Sequence, residues 1–366
     1  MDLMSGKTSY AMLKKKYSDM RAPTIRITAG GVELTQKLGC GITDLAIELS
    51  CGYEASGCSF TVLHEYEPEK TMFRPNGAVK YLQIGAPIEV AVGYIVTETV
   101  FSGYISEVEY TWDEGHTPEI RCSCTDAKCL MMKSQRMEIV KEQKLSQTIT
   151  AVLNERPASA FLKGSKVDKQ TLKDEIIRLP LESDYNFLVR YAQYTGSEFF
   201  ILQGKAYFRE KPASTPPIMT LSLGRGMYSA QASMRSNALI KQVQVNGIDP
   251  ETGKAINGKA AIKGKFSKGP TASRVMEGTT KFYFDENIIN AQQATARAAT
   301  LMEDQQKDFM VLRANCMGIP ELVPGRYVKI KGLAPELEKS WYIQQVRHTV
   351  DDRGFRTSIV ARMDSL

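Results

Sequence analysis

Two stretches of this chain, 238 to 240 residues apart, carry the same pattern, and a repeat of that kind constrains the fold more than any single motif. Gly85-Ala86-Pro87-Ile88-Glu89-Val90 is matched by Gly325-Arg326-Tyr327-Val328-Lys329-Ile330. Downstream, Tyr104, Ile105, Val108, Thr111 and Asp113 are matched by Tyr342, Ile343, Val346, Thr349 and Asp351, five identities in one ungapped run. After a one-residue slip, Gly115 and Ile120 align with Gly354 and Ile359. A loose G-x-x-V-x-V hairpin pattern accounts for the first match alone. It does not account for five ordered identities at the end of each β-rich segment. The pattern predicts two similar β-domains.

Periodicity places the repeats. Residues 1–21 form a lysine-bearing N-terminal arm with an amphipathic helix. Residues 22–126 hold short runs of partial apolar alternation, such as TIRITAG, APIEVAVGYIV and VFSGYISEVEYTW, separated by Gly-rich or acidic turns, as in an antiparallel barrel. Over 127–215 the period changes. SQTITAVLNE reads as a helix capped by Ser146. ESDYNFLVRYAQYTG reads as another, capped by Ser183 or Asp184 and ended at Gly196. A hairpin turning at Gly204-Lys205 and a Pro-rich linker follow. Residues 216–366 return to strands, interrupted by a Gly- and Lys-rich loop (250–281) and an alanine-faced helix (286–307) with Asp285 as cap. The predicted fold is α+β and mostly β: two similar antiparallel β-barrels bracketing a small α/β insert, with one additional Ala-rich helix in the second barrel.

The length of 366 residues suits two or three domains, and 24% charged residues of mixed sign is too few for a disordered chain. No apolar run is long enough to span a bilayer, and the N-terminus lacks the apolar core of a secretion signal. Seven cysteines, an odd number in a chain able to bury its own core, point to a reducing compartment. The net charge of +6 divides unevenly. Residues 1–126 carry 11 Lys+Arg against 17 Asp+Glu (−6), 127–215 carry 15 against 10 (+5), and 216–366 carry 21 against 14 (+7). An acidic first barrel and a basic remainder indicate two faces with different partners.

Catalytic chemistry finds no constellation. Cys122, Cys124 and Cys129, with His116 nearby, have C-x-C-x4-C spacing, which is not a zinc knuckle, and alternation turns Cys122 and Cys124 to the same face as small buried hydrophobes. His64 and His116 lie beside acidic residues in turns, and His348 lies on a polar strand face. No nucleophile elbow, zincin, P-loop or dinucleotide fingerprint is present. Glu65, Glu67 and Glu69 read as a solvated acidic face rather than a glycosidase pair. The Lys-rich loop lacks the aromatic interleaving of single-strand nucleic-acid binders. No cofactor, metal site, membrane partner or specific nucleic acid is expected.

A family resemblance then becomes visible. Glu182-Ser183-Asp184-Tyr185-Asn186-Phe187-Leu188-Val189-Arg190, followed by Gly196, Phe199-Phe200, Gly204-Lys205 and Tyr207-Phe208, is similar to the signature of late control gene D proteins. Tyr191 and Gln193 stand where Leu and Glu are common in that pattern. Phe101-Ser102-Gly103-Tyr104-Ile105 resembles the family's F-x-G-x-I strand, and Thr125-Asp126-Ala127 with SQTITAVLNE resembles its D-A junction. Pro324-Gly325, Gly332, Tyr342, Val346 and His348 resemble its closing strands. The resemblance runs from about Ala22 to the end.

That family comprises baseplate hubs of contractile tails, including the T-even phage hub, the N-terminal part of VgrG spikes and hubs of phage-tail-like (R-type) bacteriocins. The resemblance implies a homotrimer whose six barrels form a pseudo-sixfold ring, joining a hexameric inner tube or tube-initiator protein to a trimeric central spike. The implied partners are other copies of the chain, a separate spike protein, the tube, and tape-measure and baseplate wedge proteins. The implied location is the bacterial cytoplasm during assembly, then the baseplate of a virion or tail-like particle. The chain ends at Leu366, soon after the second barrel, so the spike is expected on another polypeptide. A tail-associated cell-wall hydrolase is the alternative from another class, and an added lysozyme-like or peptidase domain would be its mark. A carbohydrate-binding β-protein is a third, disfavoured by only two tryptophans.

Overall fold

In a computed structural model, all residues are described except 1–2, 136–143, 170–180, 213–215, 250, 263–273, 287, 308 and 364–366. One thirteen-stranded sheet runs through both repeats. In the first repeat the neighbour order is Thr24–Ala29, Pro87–Gly93, Thr97–Thr111, Glu119–Thr125, Gly57–Leu63 and Gly41–Ser50. In the second it is Thr220–Leu223, Arg326–Lys331, Ser340–Asp351, Gly354–Arg362, Met310–Met317 and Gly226–Met234. The last five strands of each series agree in chain order, neighbours and antiparallel sense. The first strand differs: Thr24–Ala29 is antiparallel to its neighbour, whereas Thr220–Leu223 is parallel to Arg326–Lys331. Parallel pairing of Ser222 with Gly226 closes the second ring.

The duplicated positions do the same work twice. Gly85 (φ 84°) donates its N–H to the Ile105 carbonyl at 2.8 Å, and Gly325 (φ 79°) donates to the Ile343 carbonyl at 2.8 Å. Both glycines hold left-handed backbone that a Cβ disfavours. Ile88, Val90, Val328 and Ile330 are all buried. Pro87 faces Tyr104 as Tyr327 faces Tyr342. A bulge falls between Ile105 and Glu107, and its counterpart between Ile343 and Gln345. The register past the bulge corrects the expected slip. Ile359 faces Val346 while Cys122, not Ile120, faces Val108, because the first hairpin has the longer turn.

The barrels join where Ser340–Asp351 pairs antiparallel with Gly41–Ser50, from Gln345 opposite Ser50 to Val350 opposite Leu45. An ion pair between Arg347 and Glu48 (3.2 Å) lies across that seam. The N-terminal segment is built into the same core. The helix Tyr10–Lys16, capped by Ser9, leads to fully buried Tyr17, whose hydroxyl donates to Glu321. Lys16 reaches Glu98 of the first repeat and Glu321 of the second, both at 2.7 Å. The Arg326 guanidinium donates to the carbonyls of Leu3 (2.6 Å) and Gly6 (2.7 Å).

Between the repeats, the helices Lys128–Lys133, Leu145–Leu153 and Asp184–Thr195 pack on a three-stranded sheet of Gly164–Val167, Lys205–Glu210 and Ser197–Leu202 around a separate core. Ser183 caps the third helix by accepting from the Asn186 N–H, and Gly196 ends it at φ 66°. The Leu145–Leu153 helix begins one residue before Ser146, so the cap position falls to Lys144, which makes no side-chain cap bond, and Ser146 lies inside the helix with its carbonyl accepting from the Thr150 hydroxyl. The hairpin turns at Gln203-Gly204, both with positive φ, one residue earlier than expected.

Residues 242–307 depart further from the sequence reading. Within the stretch read as loop, Ala255–Ala261 is a strand paired with Gln242–Ile248, which also pairs with Thr280–Phe284. The helix Ala291–Lys307 lies on this small sheet and buries Ala294, Ala298 and Met302 with Val243 and Val245. A Cβ on Gly258 would lie 2.2 Å from the Ala294 backbone, so glycine permits the close approach. Asn290, not Asp285, caps the helix by accepting from the Gln293 N–H; Asp285 accepts from Tyr194 and pairs with Arg297.

Candidate functional site

The signature residues converge on two joints between the insert and the barrels. The first surrounds the backbone of residues 52–56. Asp126, 1% exposed, accepts from the N–H groups of Ser56 and Lys128 at 2.9 Å each. The Lys128 side chain is fully buried, and its ammonium donates to the carbonyls of Gly52 (3.0 Å), Tyr53 (3.4 Å) and Glu54 (2.7 Å). Burial pushes the Lys128 ammonium down from its usual range and the Asp126 carboxyl up, while their mutual attraction opposes both shifts. Tyr185 adds a hydroxyl bond to the Tyr53 carbonyl at 3.0 Å, and the Tyr53 hydroxyl donates to the Ser197 carbonyl. The family-like residues Asp126 and Tyr185 thus grip one loop of the first barrel.

The second joint meets the second barrel. Arg209 donates to the Gly325 carbonyl at 2.6 Å and to Glu198 at 3.2 Å, and lies over the Phe200 ring. Tyr342 donates to the other Glu198 oxygen, and burial raises its phenol well above the usual range. A Cβ on Gly325 would sit 2.7 Å from the Arg209 guanidinium and 3.1 Å from Phe200. Gly103 is needed for another reason, since a Cβ there would fall 2.2 Å from the Thr125 carbonyl oxygen. Tyr104 packs on Phe161 of the insert at 5.0 Å.

The other signature residues are internal. Phe187, Leu188 and Phe208 are fully buried in the insert core, and Asp184 is buried at its helix start. Pro324 and Val346 are buried in the second barrel. His348 does not lie on a polar face. It is fully buried, its Nδ1 is 2.9 Å from the Thr357 hydroxyl, and burial pushes its pKa down to about 3. It shares the inward face of its strand with Val346, and the Phe355 ring lies 5.8 Å from it inside the second barrel.

The acidic run also differs from expectation. Glu65 is 3% exposed and accepts from the Ala78 N–H at 2.7 Å and from the Cys40 thiol at 3.3 Å. Among the described residues Glu67 alone of the three forms ion pairs, with Lys70 and Arg74. Cys122 and Cys124 both point into the first barrel, and burial pushes the Cys122 thiol up to about 12. Among the described residues no group of three His, Cys, Asp or Glu side chains is placed to hold a metal ion. No described helix is long and apolar enough to cross a membrane. Sequence reasoning missed Lys128, Glu198 and Arg209. Lys128 follows the recognised Asp126-Ala127 pair by one residue, but nothing in a sequence marks a lysine as buried.

The fold is similar to that of solved tail proteins. The 43 kDa tail protein of prophage MuSo2 from Shewanella oneidensis superposes with a TM-score of 0.71 at 15% identity, covering 94% of this chain and 99% of that one. A tail protein from Neisseria meningitidis gives 0.71 at 13% identity, covering 94% and 97%. An E. coli component of the type VI secretion system, described as structurally similar to T4 bacteriophage tail proteins, gives 0.56 at 12% identity, covering 93% and 76%. The chain therefore has a tail-protein fold, of the kind also found in type VI secretion. Its sequence matches the model of the family described as the Alg8 N-terminal domain over residues 26–352, and the chain belongs to that family. No curated protein matches it by sequence.

Proposed function

We propose that the protein is the structural hub of a contractile injection system baseplate, acting as a homotrimer without catalysis. The observation that carries this reading is the repeat inside a tail-protein fold: two barrels with five matched strands, the same bulge and the same glycine turn. Three such chains present six near-equivalent barrels to a sixfold tube, while the whole remains threefold for a trimeric spike. The motif resemblance to late control gene D proteins supports the same role, with the cytoplasm during assembly and the baseplate of a phage tail or bacteriocin-like particle afterwards as the proposed locations. The buried ionic joints serve rigidity, holding the insert against both barrels.

Light scattering and negative-stain imaging of the purified protein test the proposal. A trimer with six lobes around a central opening is the expected result. A protein that stays monomeric at high concentration would overturn it, and one that clears peptidoglycan in a zymogram would overturn it in favour of the hydrolase reading.

A further inference from the structure

The repeat equivalences also identify two unused strand edges. One buried row crosses the first barrel from Ile105 through Cys124 and Cys58 to Ile47. The matching row in the second runs from Ile343 through Ala361 and Leu312 to Ala232. Ile47 and Ala232 are therefore equivalent positions, and the 238-residue offset makes Tyr110 the equivalent of His348.

Within the chain, Ile47 and His348 face each other at the seam between barrels. Their equivalents, Ala232 and Tyr110, face no strand across the corresponding edges among the described residues. Thr97–Thr111 is bound there only to Glu119–Thr125, and Gly226–Met234 beyond Met227 only to Met310–Met317.

We infer that these two edges pair with each other between neighbouring copies of the chain, the strand ending in Thr111 lying antiparallel to Gly226–Met234 of the next copy. The inference rests on the ring proposed above, in which every barrel meets the next through the same seam. Transferring the seam register sets Tyr110 opposite Ala232, Val108 opposite Met234 and Trp112, one residue past the strand end, opposite Ala230. Large side chains thus meet small ones on the apolar side. Trp112 (61%) and Met234 (52%) are conspicuously exposed in the single chain, as edges awaiting a partner are. On the other side Glu107 falls opposite Arg235, both exposed, giving opposite charges a direct cross-strand contact. A second copy is therefore the occupant that size, charge and symmetry together select.

The test is oxidative cross-linking of the full chain carrying Trp112→Cys and Ala230→Cys, read on a non-reducing gel beside light scattering. Both positions are at the surface or partly so, and the single variants control for the seven native cysteines. The expected result is a ladder that ends at three chains for the double variant. Neither single variant should give it, nor should Trp112→Cys combined with Met234→Cys, which is out of register. Glu107→Arg and Arg235→Glu should each lose the trimer, and the two together should restore it.

Failure of the in-register pair to cross-link overturns the inference. If light scattering still shows a trimer, the hub reading stands and the chains meet elsewhere. If it shows a monomer, both fail. Cross-linking of the out-of-register pair with equal yield would also overturn the assigned pairing.

Discussion

Arg209 donates to the carbonyl of Gly325 at 2.6 Å, across a turn where any Cβ would lie 2.7 Å from the guanidinium. The equivalent glycine of the first barrel, Gly85, has the same left-handed backbone and nothing within 4 Å of its missing Cβ. The pair separates two costs that usually come together. Gly85→Ala should cost only backbone strain, about 1–2 kcal/mol. Gly325→Ala should cost that and also displace Arg209 from a buried network, for about 3 kcal/mol or more. Urea denaturation of the two variants measures the difference. Equal losses would mean that Arg209 adjusts without penalty.

Lys128 should be the most sensitive single position in the joint between the insert and the first barrel. Lys128→Met keeps most of the volume but leaves three carbonyls and Asp126 without their cation. The expected loss is about 3 kcal/mol, seen as a lower melting temperature. Limited proteolysis should then release the insert first. Lys128→Arg should not rescue it, since a planar fork does not fit three converging carbonyls.

Acid should destabilise the protein through His348. Its folded pKa of about 3 lies below its ordinary value of 6.5, so between those limits the unfolded chain binds a proton that the folded chain refuses. Stability from this group is complete above pH 6.5 and falls as pH is lowered toward 3, by up to about 1.4 kcal/mol per pH unit. His348→Asn should flatten the slope between pH 6.5 and 5, before most carboxylates titrate. An unchanged slope in urea melts over that range would assign the acid sensitivity elsewhere.

Reversing the acidic run should have unequal effects. Glu65→Arg places a cation where a buried carboxylate accepts from Ala78 and Cys40, and should unfold that corner or the barrel. Glu67→Arg and Glu69→Arg change only the surface and should leave the melting temperature nearly unaltered. Thermal melts of the three single variants distinguish these outcomes, and only the latter two probe charge between neighbouring copies.

The elements with strong local signals were legible in the sequence. Ser183 and Gly196 bound their helix as capping chemistry requires, and the spacing of Ile88, Val90, Val328 and Ile330 gave the inward face of matched strands. What sequence concealed was set at long range. Glu65 and His348 look like surface residues because their neighbours are polar. Each is buried by separate segments of its own barrel, Glu65 against Cys40 and Ala78 and His348 against Phe355 and Thr357. The strand Ala255–Ala261 was hidden for the opposite reason. Its glycine and lysine read as loop, yet Gly258 is what allows the Ala291–Lys307 helix to lie against it. The joint residues Lys128 and Arg209 carry no local signal, since only the fold makes their charges buried.

The seam between Gly41–Ser50 and Ser340–Asp351 also has a mechanical consequence. Because it is a strand ladder rather than a flexible tether, the two barrels cannot swivel independently about a hinge. A pull along the strands loads several backbone hydrogen bonds at once, in shear, instead of opening them one by one. In the hub proposed above, a sudden shortening of a surrounding sheath would therefore be transmitted through this chain as through a stiff ring segment. The N-terminal segment, bonded to both repeats, acts as a second tie across the same line.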